Sequence, residues 1–189
     1  MPNMVKGLGI DGCRRFMSER LGEPRYATMV SRAPLELRAT LMQPLPASWY
    51  PTQALDVLTS LYAEERGFRS TDAARPDFEA IGYRIAEDNL NGIYRALLRV
   101  LSAHGAVPMM PRVWAQYFKG HSCDLDWDKK RTTASITVHN LSVQHLAPIA
   151  AGWQQAALRL STDVNAQVVE ENYARGVSAA DPMVFRFSW

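Results

Sequence analysis

His121 and Cys123 are the residues of this sequence whose types and spacing come nearest to a metal site. On an extended strand, residues two apart point to the same face, so an imidazole and a thiolate would supply two of the four ligands that zinc takes. The remaining histidines, His104, His139 and His145, stand in unrelated contexts and do not complete the set. We therefore interpret the pair as a partly exposed histidine beside a core cysteine.

Gly7, Gly9 and Gly12 spell the G-x-G-x-x-G pattern of dinucleotide-binding folds. The pattern is meaningful when a strand precedes it and an acidic residue follows about 20 positions later at the end of a second strand. Here only Met4 to Lys6 can be extended before it, and helical segments follow. We expect no dinucleotide site.

Asp124, Asp126 and Asp128 alternate like the first ligands of a calcium-binding EF-hand loop. The sixth position of such a loop is Lys129 where glycine is needed, and the twelfth is Ser135 where a bidentate glutamate is needed. The aspartates are better explained as the water-facing residues of a strand.

Motifs for hydrolytic or nucleotide chemistry are absent from the sequence: it has no G-x-S-x-G, no H-E-x-x-H and no P-loop. The adjacent carboxylates Glu64–Glu65 and Glu170–Glu171 diverge on a helix or a strand, so they do not form an acid and base pair. We therefore predict that the protein is not an enzyme. An active site assembled from distant residues leaves no local motif and stays open as an alternative.

The composition is that of one globular domain, which we place at residues 1–189. Of these 189 residues 47% are hydrophobic, enough for a sizeable core. The 21 lysines and arginines nearly balance the 19 acidic residues and are spread along the chain, which predicts no nucleic-acid binding. The apolar runs are too short for membrane insertion. Without signal-peptide features, and with Cys13 and Cys123 expected to be free thiols, we predict a cytoplasmic location.

Apolar residues recur at the helical period up to about residue 120. The predicted helices run from Ile10 to Gly22, from Pro24, between Pro34 and Pro51, from an N-cap at Thr52 to Arg66, from Pro76 to Ala103, and from Pro111 to Lys119. The helix from 76 to 103 has the strongest pattern and is interpreted as the central helix. Gly82 and Gly92 lower its helix propensity, which indicates close packing against another element.

After Gly120 the hydrophobic period changes from 3.6 to 2. Strands are predicted at about 123–127, 133–139, 166–174 and 182–189, with a helix at 146–160 between the second and third. The predicted fold class is α+β: an N-terminal helical half, about residues 1–120, packed on a small C-terminal four-stranded antiparallel sheet with a crossover helix, about residues 121–189.

Four short motifs resemble a group of uncharacterised paralogous proteins found chiefly in myxobacteria. They are Val5-Lys6-Gly7, Tyr50-Pro51, Gly152-Trp153 and the closing Phe185-x-Phe187-x-Trp189. The layout is in turn similar to the superfamily that holds haem nitric-oxide-binding domains, 4-vinyl-reductase-type ligand-binding domains and TRAPP transport subunits. This resemblance covers nearly the whole chain and implies a ligand-binding or assembly module.

The branches of that superfamily imply different cofactors. In the haem-binding branch a proximal histidine follows the helical half, and His104, ahead of Pro108 and Pro111, stands near that place. The Tyr-x-Ser-x-Arg motif that holds the haem propionates in that branch is absent. In the vinyl-reductase-type branch cysteines near the last strands bind zinc, whereas Tyr173 and Met183 stand there in this chain. The resemblance therefore implies no metal, and haem on His104 is the alternative.

From these observations we predict a non-enzymatic regulatory or scaffold module in signalling that binds a small apolar ligand, a protein partner or both. The alternatives are a haem-based gas sensor using His104 and an enzyme with a dispersed site. Segment 107–118 is rich in methionine and aromatic residues, and it either forms an adaptable binding surface or seals the joint between the two halves. Self-association is expected because the helical half has more apolar surface than a four-stranded sheet covers. The predicted cavity lining is Phe16, Ile85, Ile93, Leu97, Trp114 and Phe118.

Overall fold

The computed structural model describes residues 2–90, 96, 100–128, 130–141, 143–160, 165–171 and 182–189. Its helices are α1 (Gly7–Leu21), α2 (Glu23–Val30), α3 (Leu35–Met42), α4 (Thr52–Glu65), α5 (Thr71–Asn89), α6 (Ala103–Ala106), α7 (Met110–Tyr117) and α8 (Leu146–Arg159). Its strands are β1 (Met4–Lys6), β2 (Trp49–Pro51), β3 (Phe118–Lys119), β4 (Ser122–Trp127), β5 (Thr133–His139), β6 (Gln167–Glu170) and β7 (Met183–Ser188). Among the described helices, none has the length and apolar character needed to cross a membrane.

A small three-stranded sheet of order β2-β1-β3 joins the start of the chain to the end of the helical half. Strand β1 is antiparallel to both neighbours, with Val5 opposite Tyr50 on one side and Phe118 on the other. Helix α1 follows at once, at a point where a Cβ on Gly7 would overlap the carbonyl oxygen of Leu45. Strands of two or three residues are too short to show an alternating pattern, so the sequence did not predict this sheet.

Helix α5 differs from the predicted central helix at both ends. Its start is capped by Ser70, whose hydroxyl accepts a hydrogen bond from the backbone N–H of Ala73 (3.2 Å), so Pro76 lies inside the helix. At the other end Leu90 leaves the helical conformation, with φ −87° and ψ 39°. Ala103 begins the separate helix α6, so the prediction of one helix through residue 103 is wrong.

Two further helix ends differ from the prediction for local reasons. Thr52 is the first residue of α4 and makes no side-chain capping hydrogen bond, so its predicted role as N-cap is wrong. Helix α7 stops before Lys119 because Phe118 is extended, with φ −134° and ψ 148°, and pairs with β1. The predicted stop at Gly67 is confirmed by its left-handed backbone, with φ 68°. Gly120 is also left-handed, with φ 85°, but it follows β3 and does not end α7.

Helices α5 and α8 cross in close contact. A Cβ on Gly82 of α5 would overlap the carbonyl oxygen of Ile149, and a Cβ on Gly152 of α8 would overlap that of Glu79. The close packing predicted from Gly82 is thus confirmed, whereas Gly92 lies outside the described residues. Because each glycine lies against backbone of the other helix, a side chain at either position would separate the helices.

The C-terminal sheet has four antiparallel strands in the order β4-β5-β7-β6, and α8 crosses between β5 and β6. This confirms the predicted α+β class. The hairpin has the register that the alternation indicated, with Leu125 opposite Ile136. In β7 the alternate residues Met183, Phe185 and Phe187 are buried. The last part of the predicted third strand, 172–174, lies outside the described residues.

Candidate ligand cavity

A cavity of about 70 Å³ lies where α1, α7 and α8 meet. It is several times larger than the space of about 10–15 Å³ that one water molecule requires. The helical half contributes one side of it, formed by Val5, Gly9, Cys13, Leu55 and Ile85. The first three are four residues apart along β1 and α1, which brings Gly9 and Cys13 to one helical face. None of these five side chains carries a charge.

Gly9 and Cys13 leave space rather than fill it. A Cβ on Gly9 would lie 3.7 Å from Val5 and 3.8 Å from Tyr117, which is ordinary van der Waals contact. Cys13 is buried, and desolvation by burial raises the pKa of its thiol to about 12. The thiol is therefore protonated at neutral pH and acts as a small apolar group rather than as a nucleophile.

Helix α7 supplies the second side, with Met110, Val113, Trp114, Tyr117 and the following Phe118. The four helical residues follow the i, i+3, i+4, i+7 spacing that places side chains on one face. The centroid of the Trp114 ring is 5.4 Å from that of Phe118.

The Trp114 ring also lies 5.8 Å from that of Phe185 in β7. The segment 107–118 therefore packs against the sheet, as one of its two interpretations predicted, and it also lines the cavity.

Helix α8 supplies the third side, with Leu146, Ile149, Ala150, Trp153 and Gln154 at helical spacing. Trp153 packs edge-to-face against Tyr117, with ring centroids 5.9 Å apart and an interplanar angle of 66°. Ala150, with only a methyl group, leaves room beside them. The face of α8 that turns toward α5, by contrast, carries Gly152.

Several lining residues bring polar groups to this largely apolar surface, among them Trp153, whose buried indole N–H has no hydrogen-bond partner in the described part of the chain, Tyr117 and Gln154. Tyr117 accepts a hydrogen bond at its hydroxyl oxygen from the side-chain amide of Asn89 (3.2 Å), and burial raises the pKa of Tyr117. Gln154 is only 2% exposed, and neither its amide nitrogen nor its amide oxygen has a hydrogen-bond partner in the described part of the chain. Aspartate, glutamate, lysine, arginine and histidine are absent from the described lining.

The predicted lining residues divide into three groups. Ile85, Trp114 and Phe118 lie together on the cavity wall. Phe16 does not, because it lies in a surface groove between α1 and α5 with Glu19, Arg84 and other charged residues. Cys13 is the last residue of α1 in the described lining, and Phe16 lies about one helical turn further along. Ile93 and Leu97 lie outside the described residues.

Sequence reasoning missed the other twelve residues of the described lining, among them Gly9, Cys13 and Gln154. One signal for Gln154 was available: it is a polar residue within the apolar stripe of the crossover helix formed by Leu146, Ile149 and Trp153. No comparable signal marked Gly9, because a glycine near a helix start has several common explanations.

His104 lies away from this cavity lining and is engaged by the C-terminal residue. Its Nδ1 accepts a hydrogen bond from the indole N–H of Trp189 (2.7 Å), and the two rings meet edge-to-face with centroids 5.0 Å apart. The ring of Trp127 lies 6.1 Å away on another side. In a neutral imidazole whose Nδ1 is the acceptor, the proton is on Nε2.

That arrangement does not suit an axial haem ligand. A histidine that binds a metal through one ring nitrogen almost always donates the N–H of the other. His104 as placed accepts at Nδ1 and carries its proton on Nε2, so neither nitrogen presents a lone pair outward. The residues described here therefore do not fit haem ligation by His104 without breaking the bond to Trp189.

His121 and Cys123 are not joined by further metal-ligating side chains among the described residues. The ring of His121 lies near those of Trp114 and Phe118, with centroids 6.1 and 6.3 Å away, and burial lowers its pKa. Burial raises the pKa of the Cys123 thiol to about 12. No cluster of three or more histidine, cysteine, aspartate or glutamate side chains suited to a metal ion occurs among the described residues. Asp124 faces outward on β4, as predicted, 2.9 Å from His139.

Comparison with known proteins identifies the fold. No protein-family profile and no curated protein sequence matches the chain. Solved structures similar to it include the Fe(II) unliganded H-NOX protein from K. algicida, with a TM-score of 0.69, and a point mutant of that protein, with a TM-score of 0.65. Each is 10% identical in sequence, and each comparison covers 97% of this chain and 96% of the other. The chain therefore has the H-NOX-type fold.

Proposed function

We propose that this protein is a non-enzymatic, cytoplasmic regulatory module that binds a small apolar ligand in the cavity between α1, α7 and α8. The observation that carries the proposal is the described lining itself, which is formed by side chains from several helices and strands and contains no carboxylate, imidazole, lysine or arginine. Surfaces of this kind bind ligands by apolar burial and orient them with few polar groups. The titratable groups of the described lining, Cys13 and Tyr117, both have pKa values raised by burial, which does not suit a general base at neutral pH.

The position of the cavity suits regulation. Trp114 belongs to its wall and also contacts Phe185 in the sheet. A ligand that packs against Trp114 would change the packing between the helical half and β7. Any compound that binds only the folded state also raises the free energy of unfolding by mass action.

Fold and motifs support the same class of function. The H-NOX-type fold is shared with the K. algicida protein, and the four short motifs place the chain with the myxobacterial paralogues as a finer proposal. Exposed Leu35 and Leu45, at 76% and 65%, add a candidate surface for self-association or a protein partner. Light scattering would show a mass above 21.2 kDa if the chain pairs, and a monomer at high concentration would contradict pairing.

The direct test is native mass spectrometry of protein purified from its own host, compared with a denatured sample. We expect an additional small-molecule mass that is lost on denaturation. Ala150→Leu adds three carbons inside the cavity and should abolish that mass, whereas Ala27→Leu on the exposed face of α2 should leave it. A bare chain in the wild type, or equal retention in both variants, would contradict the proposed site.

A haem-based sensor is the second candidate, favoured by the fold that the chain shares with an Fe(II) H-NOX protein. It would require His104 to exchange the Trp189 hydrogen bond for iron. Haem titration should then give a Soret band that His104→Ala removes and that Trp189→Phe strengthens. A flat visible spectrum eliminates this candidate.

A further inference from the structure

Gln154 is a buried side chain whose hydrogen-bonding capacity is unused. A primary amide has two N–H donors and an oxygen that accepts at two lone pairs. Gln154 is 2% exposed, yet its Oε1 and Nε2 have no partner in the described part of the chain. Buried polar atoms are satisfied in the large majority of cases, so both atoms of one amide left without a partner indicate a missing one.

The next residue of α8, Gln155, shows that both polar atoms of a glutamine on this helix can find partners. Gln155 donates from Nε2 to the carbonyl of Ala166 (3.0 Å) and accepts at Oε1 from the backbone N–H of Val168 (2.8 Å). Both partners are backbone atoms at the start of β6. Gln154 turns instead to the cavity, where the wall is formed by apolar groups such as Ile149 and Trp114.

The surrounding wall limits what the missing partner can be. The described lining contains no lysine, arginine, aspartate, glutamate or histidine. A carboxylate or an ammonium ion would lose its hydration there without gaining an opposite charge, which is strongly unfavourable. A neutral group that both donates and accepts can pair with the amide of Gln154 through two hydrogen bonds.

We propose that Gln154 is the recognition residue of this cavity, and that the ligand is an uncharged small molecule with an apolar body and one head group that both donates and accepts, such as a primary amide or a lactam. The inference rests on the proposed ligand-binding function and names its ligand class. Gln154 selects the head group, and the aromatic and aliphatic wall holds the body. Sites built to hydrogen-bond a polar group reject analogues that lack it.

The test uses the full chain and three probes with the same branched skeleton: isobutyramide, the anion isobutyrate and the hydrocarbon 2,3-dimethylbutane. Binding is measured by ligand-observed NMR. In the wild type we expect isobutyramide to bind at least tenfold more tightly than isobutyrate. In Gln154→Leu we expect the affinity for isobutyramide to fall at least tenfold. The affinity for 2,3-dimethylbutane should stay equal or rise. Gln155→Leu is the matched control and should leave the preference among the probes unchanged.

Each outcome bears on one of the two claims. If 2,3-dimethylbutane binds and the affinity for isobutyramide is the same in the wild type and in Gln154→Leu, the recognition role of Gln154 is overturned and the apolar cavity stands. Tighter binding of isobutyrate than of isobutyramide would overturn the neutral ligand class. Failure of all three probes to bind would overturn both claims. Gln154→Met, which is also unbranched, serves as a second variant if Gln154→Leu does not fold.

Discussion

The two faces of helix α8 are packed in opposite ways. Toward α5, Gly152 lies against the backbone of Glu79, and Gly82 lies against the backbone of α8. Toward α1 and α7, Ala150 and Gln154 border an open cavity. A cavity persists only when the surrounding elements cannot collapse into it. The close crossing with α5 holds α8 in place, and we infer that it keeps the other face open.

The largest expected effect is on the side of α8 that packs against α5. Gly152→Ala puts a Cβ into the carbonyl oxygen of Glu79, so the helices must separate. We expect a loss of at least about 3 kcal/mol in the free energy of unfolding, measured by urea denaturation. A loss below about 1 kcal/mol would show that the crossing is more adaptable than this comparison requires.

The pH dependence of stability tests the packing between α5 and α8 a second time, through His145, the residue before α8. Its ring stacks on Phe78 of α5, with centroids 4.4 Å apart, and desolvation lowers its pKa from 6.5 to about 4 although Asp56 opposes that shift. Between pH 6.5 and 4 the unfolded chain takes up a proton that the folded chain does not. The stability should therefore fall over that window by up to about 3 kcal/mol and level off below it.

The measurement is the free energy of unfolding as a function of pH in the wild type and in His145→Phe, which keeps an aromatic ring beside Phe78. The slope between pH 6.5 and 4 should be smaller in the variant. Identical slopes would mean that other groups cause the acid sensitivity.

Substitutions of Gln154 and Gln155 compare the two sides of α8 through smaller changes in stability. Gln155→Leu leaves the carbonyl of Ala166 and the N–H of Val168 without their partner, so we expect a loss of about 1–3 kcal/mol. Gln154→Leu removes unpaired polar atoms and should leave the stability unchanged or raise it. Thermal unfolding of the two variants side by side checks the difference, and an equal loss in both would contradict it.

The smallest expected effect is in the cavity lining, at Gly9 of α1. Gly9→Ala meets only ordinary contacts, so the better helix former should stabilise the chain by about 0.5–1 kcal/mol. The same substitution narrows the cavity and should weaken ligand binding. Urea denaturation and probe titration measure the two effects separately, and destabilisation by Gly9→Ala would contradict the open space beside Gly9.

Much of the secondary structure could be predicted because burial imposes a period on the sequence. The alternation after Gly120 gave the hairpin, and the helical period gave the crossover helix. Boundaries were less accurate where a short-range contact decided them, as at Ser70, whose cap moves the start of α5 ahead of Pro76. The three-stranded sheet was missed because Val5 and Phe118 pair across more than a hundred residues in strands too short to carry a pattern.

The sequence by itself determined the α+β class, the two-layer order of elements and the inward faces of Ile85, Trp114 and Phe118. Only the tertiary structure decided that Gln154 and Gly9 face one cavity, that Phe16 lies outside it, and that His104 is held by Trp189. The physical reason is geometric. A hydrophobic period fixes the direction of a side chain around its own helix or strand, whereas the distances between elements depend on contacts that close only when the whole chain is packed.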